Sequence, residues 1–410
     1  MPADAGETAT GLWKRYAGLP RNVLALSFVS LLNDVSSEII YPLLPAFLAL
    51  SLGASPFAIG LIEGFAESIA SLLKLVSGYL SDRFGTRKLP VLAGYSLAAI
   101  TRPFLAFATS WPQVLIVRVT DRVGKGIRGS PRDALLAESV PVKSRGFAFG
   151  FNRAADHMGA VLGPIAATGL LWLYAGDTQN PTLREYQHVF LFASVPVVAG
   201  LLVIVFFVKE KRHASHSDAE PPSLSLRGFD ANFKRFLIVI ALFTLSNSTD
   251  AFLLLRAGQT GITPVVLPLL WMTLHVSKVV SSLIGGDLSD KLGRKTMIVS
   301  GWVVYAFVYA GFAFVSSAVQ TWTLFIIYGV YFGLTEGVEK AFVADMVPEK
   351  KRGTAYGLYN FAFGITVFPA SLLFGLAWNQ FGAATAFLAS ACVSIAAILL
   401  LTTVRAEKHA

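Results

Sequence analysis

Gly78-Tyr-Leu-Ser-Asp82-Arg83-Phe-Gly85-Thr-Arg87-Lys88 returns later in the chain as Gly286-Asp-Leu-Ser-Asp290-Lys291-Leu-Gly293-Arg294-Lys295, the two aspartates 208 positions apart. A second pair keeps an offset of 207: Ala137-Glu-Ser-Val-Pro141-Val-Lys143-Ser-Arg145-Gly146 and Ala344-Asp-Met-Val-Pro348-Glu-Lys350-Lys-Arg352-Gly353. Two independent anchors at nearly one offset mark an internal duplication. Each copy of the first motif follows a long apolar stretch, so it reads as a loop between two hydrophobic helices.

Working outward, 54% of the 410 residues are hydrophobic and only 14% charged. A soluble chain carries charge on about a quarter of its residues. A hydrocarbon core about 30 Å thick takes about 20 apolar residues per helix. Twelve stretches qualify: 23–49, 57–80, 90–109, 112–138, 146–174, 188–208, 236–256, 264–288, 297–316, 322–344, 354–378 and 383–404. The expected fold is an all-α membrane protein, its twelve transmembrane helices forming two pseudo-symmetric six-helix bundles. The expected divisions are a cytoplasmic segment 1–22, a first bundle 23–208, a cytoplasmic linker 209–235, a second bundle 236–404 and a cytoplasmic tail 405–410. The linker, with Lys209-Glu-Lys-Arg-His213 and Pro221-Pro222, is solvated tether without core-forming material.

The formal charge of +9 is not a nucleic-acid signal. Lys and Arg concentrate in alternate loops, at 83–88, 143–145, 209–212, 291–295 and 350–352, while the loops near Gly53, Ser110, Gly261, Ser317 and Gly382 hold almost none. That is the positive-inside bias, and it puts both termini in the cytoplasm of a cell with the protein in its plasma (inner) membrane. Met1 to Leu19 lacks an apolar core, so no cleavable signal is expected. The single cysteine, Cys392, excludes a disulfide framework, and the six histidines show no metal-ligand spacing. There is no Walker loop and no dinucleotide fingerprint. The expectation is a non-enzyme without metal or cofactor, driven by an ion gradient or by its solute's own gradient.

These residues resemble the major facilitator superfamily of secondary transporters, over essentially the whole chain. The duplicated Gly-x-Leu-Ser-Asp loop is similar to that family's signature loop. Asn33-Asp34 leading to Ile40-Tyr-Pro-Leu-Leu-Pro45 resembles its twelve-helix drug-exporter branch. Arg118 falls where the family carries a membrane-embedded arginine, and Gly159-x-x-x-Gly163-Pro164 is similar to its antiporter motif. The resemblance implies alternating access around a cavity lined mainly by helices 1, 4, 7 and 10. It also implies a conformational latch at Gly78, Asp82, Arg83, Arg87, Asp290 and Arg294. Physically, Gly78 permits close helix approach, and the aspartates can pair with loop arginines.

The fourth helix carries the densest signal. At 100° per residue, Arg118, Asp121, Arg122, Lys125, Arg128, Arg132 and Asp133 share one face about 140° wide. At midplane in lipid each charge costs at least about 2.5–3.5 kcal/mol, so this face lines water or meets counter-charges. The candidate solute-binding set is Arg118, Arg122, Lys125, Asp34, Asn33, Glu38, Arg153, Asn247, Asp250 and Glu336. Coupling to protons needs a carboxylate or imidazole able to change charge in a low-dielectric cavity, and Asp34, Glu336, Asp250 and His157 are the candidates. Arg128, Arg132 and Asp133 lie deeper toward the basic loops, and the expectation is a gate formed with Glu336, Glu339 and Lys340 of the tenth helix.

Together these readings predict a monomeric secondary transporter for proton-coupled export of a small organic anion or zwitterion. Its partners are the solute, a proton or other coupling ion, and membrane lipids. The alternatives are a multidrug/proton antiporter, an uptake symporter for an organic anion, a lipid flippase and a non-transporting solute receptor.

Overall fold

The computed structural model describes residues 18–176, 180–210 and 224–405. Helices occupy all twelve expected places. In the first half these are α1 (Arg21–Ser51), α2 (Pro56–Phe84), α3 (Lys88–Phe107), α4 (Trp111–Glu138), α5 (Arg145–Ala175) and α6 (Leu183–Phe207). In the second half they are α7 (Ala231–Gly258), α8 (Leu267–Leu292), α9 (Arg294–Phe314), α10 (Ala318–Asp345), α11 (Arg352–Phe381) and α12 (Ala383–Thr402). Among the described residues there is no strand, and ten helices are long and apolar enough to cross a membrane. The other two, α2 and α4, have 29 and 28 residues, about 42 Å at 1.5 Å per residue. Their buried charges, not their length, set them apart by composition.

Local chemistry sets the ends. Ser55 caps α2 by accepting from the Ala58 N–H at 3.3 Å, with Pro56 at the first helical position, where its missing N–H costs nothing. The same helix stops at Gly85, whose φ of 61° only glycine adopts freely. Asp230 caps α7 through the Phe233 N–H at 2.7 Å. That helix breaks after Ser246 and resumes at Ala251.

The first six helices pack on one another: α1 on α5 and α6, α4 on α2 and α3. The last six repeat this arrangement, α7 on α11 and α12, α10 on α8 and α9. The duplication persists in side-chain detail. Arg145 Nε donates to the Ala137 carbonyl at 3.2 Å, and Arg352 Nε to that of Ala344 at 3.4 Å. Gln113 accepts the Thr109 N–H at 2.8 Å, and Gln320 that of Ser316 at 2.9 Å.

The halves meet along α2–α11 and α5–α8. Their seam widens toward the basic loops. A methyl carbon at Gly60 would lie 2.3 Å from the Ser371 carbonyl oxygen, and one at Gly375 would lie 2.6 Å from that of Pro56. Farther along, the nearest atom to such a carbon at Gly364 is 3.1 Å away, at Gly357 3.9 Å, and at Gly353 nothing lies within 4 Å. The halves therefore touch backbone to backbone at one end and diverge at the end bearing the basic loops. Exposed Leu173, Leu283 and Val319 belong to the apolar outer surface, which in a bilayer faces hydrocarbon.

Candidate functional site

The charged face of α4 is compensated unevenly. Arg118 makes a bidentate pair with Glu63 of α2, both contacts 2.7 Å and both side chains buried. Its guanidinium also lies 5.9 Å from the centre of the Tyr41 ring. Asp121 is bound by Arg102 Nε of α3 at 2.9 Å. Arg128 sits over the Tyr95 ring at 4.4 Å and donates to Asn33 Oδ1 at 3.1 Å. Arg122 approaches Glu67 only to 4.0 Å, and its Nε is buried without a hydrogen-bond partner. Lys125 has no ion-pair partner within 4 Å among the described residues. A gradient results along one helix, from Arg118, matched by its own carboxylate, to Arg122 and Lys125, which share the single carboxylate of Glu67.

On α1, Asp34 Oδ1 accepts from Asn33 Nδ2 at 3.0 Å. One turn on, Glu38 Oε2 accepts from Trp271 Nε1 of α8 at 2.7 Å, with His275 Nε2 at 3.8 Å. This contact joins the two halves. The Gly159-x-x-x-Gly163 pair of α5 lies directly behind these acids. Methyl carbons there would lie 2.8 Å from the Asp34 Cβ and 2.6 Å from the Glu38 Cβ. In this structure the glycine pair packs α1 on α5. Arg153 is 63% exposed and 3.8 Å from Asp156, and His157 is half-buried beside them.

The second half answers with aromatic side chains around the break in α7. Asp250 accepts from the Tyr328 hydroxyl at 2.7 Å, and Asn247 Nδ2 lies 3.4 Å from the Tyr331 hydroxyl. Tyr305 donates to the Ser246 carbonyl at 2.7 Å, a group the interrupted helix leaves without its own partner. Glu336 pairs with Lys278 of α8 at 2.8 Å, and that ammonium stands 4.3 Å from the Phe332 ring centre. Glu339 is buried, held by Trp302 Nε1 at 3.0 Å and the Tyr359 hydroxyl at 2.7 Å.

The expected pairing of α4 with α10 is therefore not made in this conformation. Arg132 and Asp133 bind each other at 3.0 Å. Glu339 is committed to its two aromatic donors, Lys340 is exposed, and Arg128 lies inside the first half rather than at the seam. Among the described residues no ion pair joins α4 to α10, and Glu336 is held instead by Lys278 of its own half.

The duplicated loop forms a second polar centre. Arg87 pairs with Asp82 at 2.5 Å and with Glu138 at the end of α4 at 3.2 Å. Its backbone N–H donates to Glu210. Arg83 is exposed and donates to the Tyr79 hydroxyl at 3.0 Å. Gly78 faces Ser130 of α4, 3.2 Å from where a methyl carbon would stand. In the repeat, Arg294 pairs with Asp345 at 2.8 Å, the counterpart of Arg87 with Glu138; the Asp290 side chain lies outside the described residues. Sequence reasoning passed over Arg102, Lys278 and Trp271. For the first two the signal was there, since a lone cation inside an apolar stretch needs a partner. Among the described residues no three His, Cys, Asp or Glu side chains cluster to hold a metal ion.

A family model described as Major Facilitator Superfamily matches residues 26–371 and 236–410. An uncharacterized MFS-type transporter of Methanocaldococcus jannaschii is 36% identical, over 93% of this chain and 95% of its own length. A cis,cis-muconate transport protein of Acinetobacter baylyi is 23% identical over 77% and 78%. The crystal structure of a mutant of the nucleoside transporter NupG superposes with a TM-score of 0.78 at 14% identity, over 93% of this chain and 99% of that one. At that identity the likeness speaks for the fold alone.

Proposed function

Because the chain belongs to the major facilitator superfamily, and is thus a multi-pass membrane transporter, we propose that it exports a small organic anion or zwitterion in exchange for protons. Access alternates as the two halves rock about the seam, and the basic loops and both termini face the cytoplasm of a cell whose plasma membrane holds the protein as a monomer. The observation that carries the substrate class is the excess positive charge at Arg122 and Lys125, two cations that share one carboxylate, Glu67. Excess positive charge held away from water is costly, and an anion entering from the open end supplies a second partner. Arg118, saturated by Glu63, acts as wall rather than ligand. The relative named for cis,cis-muconate, a dicarboxylate, agrees with this class, and the first helix's likeness to drug exporters supports the direction.

Among the coupling candidates, Glu336 is held by Lys278 and Asp250 by Tyr328. Asp34 accepts from the neutral Asn33 amide and has a second carboxylate, Glu38, one turn along the same helix, which favours it as the proton carrier. Asp82, Arg87 and Glu138, with Arg294 and Asp345, serve as latches that hold the loop end of each half together during rocking.

The test is a thermal-shift screen of the purified protein against cis,cis-muconate, benzoate, a zwitterionic amino acid and tetraphenylphosphonium. A ligand at 100 times its Kd stabilises by about 2.7 kcal/mol. Stabilisation by the carboxylates, lost in Arg122→Ala and Lys125→Ala, is the expected result. Stabilisation by tetraphenylphosphonium alone would overturn the anion reading in favour of multidrug export. Uptake of the stabilising anion into everted vesicles under a proton gradient then checks direction.

A further inference from the structure

Inside the first half lies a cluster whose charge does not balance. Arg102, Asp121 and Arg128 are 3%, 4% and 5% exposed. Arg102 Nε binds Asp121 at 2.9 Å, while Arg128 has the Tyr95 ring and the Gly94 carbonyl, at 3.3 Å. Neighbouring Arg118 is already matched by Glu63. Two guanidiniums against one carboxylate leave a net positive charge in a place where an uncompensated ion costs several kcal/mol.

Both guanidiniums converge on one neutral side chain. Arg102 and Arg128 each place a terminal nitrogen 3.1 Å from Asn33 Oδ1, and Arg102 also donates to the Asn33 backbone carbonyl at 3.1 Å. This fixes the orientation of the amide, because the flipped form would set N–H donors against N–H donors. Asn33 Nδ2 is thereby committed to Asp34, whose Oδ1 it meets at 3.0 Å. The charged groups that act on Asp34 are Glu38 on its own helix, Lys125 and Arg132 of α4, and Asp156 of α5. α6, packed on the far side of α1, offers the Ala193 carbonyl to Ser36 there.

We infer that Asn33 is a positioning residue: it ties Asp34 to the buried Arg102–Asp121–Arg128 cluster and sets the pH at which Asp34 takes up a proton. The cluster's excess charge polarises the amide, and the amide presents a fixed donor to the carboxylate. α1, α3 and α4 belong to one half, so rocking leaves this connection intact while the seam changes around it. The inference rests on the reading of Asp34 as the proton carrier.

The experiment is an infrared difference titration of the full chain in lipid, which needs no transported substrate. Asp34→Asn identifies the Asp34 carboxyl band by its loss. In Asn33→Ser, which leaves room for water to meet the two guanidiniums, the midpoint of that band is expected about one pH unit more alkaline, the loss of one charge-assisted donor. Arg128→Gln keeps Asn33 and is expected to move the midpoint the same way by less, so the test survives if the first variant folds poorly. A band that titrates in the parent protein with an unmoved midpoint in both variants overturns the role of Asn33 and leaves Asp34 as carrier. No Asp34 band in the parent or in either variant overturns both.

Discussion

At equivalent positions 207 residues apart, the two halves fill one scaffold with opposite chemistries. Tyr95, Arg102, Arg118, Asp121 and Lys125 of the first half correspond to Trp302, Tyr309, Phe325, Tyr328 and Phe332 of the second. The backbone contact beneath them is shared: Gly94 packs on α4 beside Arg128, and Gly301 packs on α10 beside Thr335. In the first half the interior is held by ion pairs. In the second it is held by stacked rings, Phe243 on Trp302 at 4.0 Å and Tyr305 on Tyr309 at 4.1 Å. The ionic interior fixes charges at defined places. The aromatic interior aims hydroxyls at the break in α7. A duplicated fold thus tolerates divergent interiors provided helix-to-helix distances are kept by glycine.

The sharpest way to break this comparison is to remove one ion from the ionic half. Arg118→Met leaves Glu63 buried and alone, and about 3–5 kcal/mol of stability is expected to go. Pairing it with Glu63→Leu should restore most of the loss, measured as thermal unfolding in detergent. If the single change costs nothing, the first half is not held by its ions. In the aromatic half, Trp302→Phe keeps the stack but deprives buried Glu339 of a donor, with about 1–3 kcal/mol expected. Of the latches, Arg87 has Asp82, Glu138 and Ser81 as partners, whereas Arg294 has the half-exposed Asp345. Arg294→Ala is expected to cost no more than about 1 kcal/mol and Arg87→Ala more, which ranks the two copies by unfolding temperature. Lys125→Ala is expected to change the unfolding temperature least of all while removing the shift given by carboxylate ligands.

Much of the fold was legible because hydropathy and an internal offset are local properties of a chain. Each helix was placed within a few residues, and the widest disagreements, five residues at the starts of α6 and α7, arise because Arg184, Glu185 and Gln187 precede the apolar run of the one and Asn232, Lys234 and Arg235 that of the other. Partner choice was not legible. The wheel put seven charges of α4 on one face, but it carries no information about which neighbouring helix covers which part of that face. So Arg128 was assigned to the seam when it faces Tyr95 and Asn33. The break in α7 did leave a signal in Ser246-Asn-Ser-Thr-Asp250, a run whose side chains compete for backbone hydrogen bonds inside an otherwise apolar stretch.

The backbone contact of Gly60 with Ser371 and of Gly375 with Pro56 has an electrical consequence. Where the halves touch this closely no file of water passes, so in a bilayer that end is the insulator and the widened end of the seam, once filled with water, a conductor. The transmembrane voltage falls mostly across the thin sealed end. On the proposed alternating access, Arg122 and Lys125 sit near the potential of the open side, and a bound ion would meet nearly the whole field, about 2.3 kcal/mol per charge for each 100 mV, only when the seal changes ends.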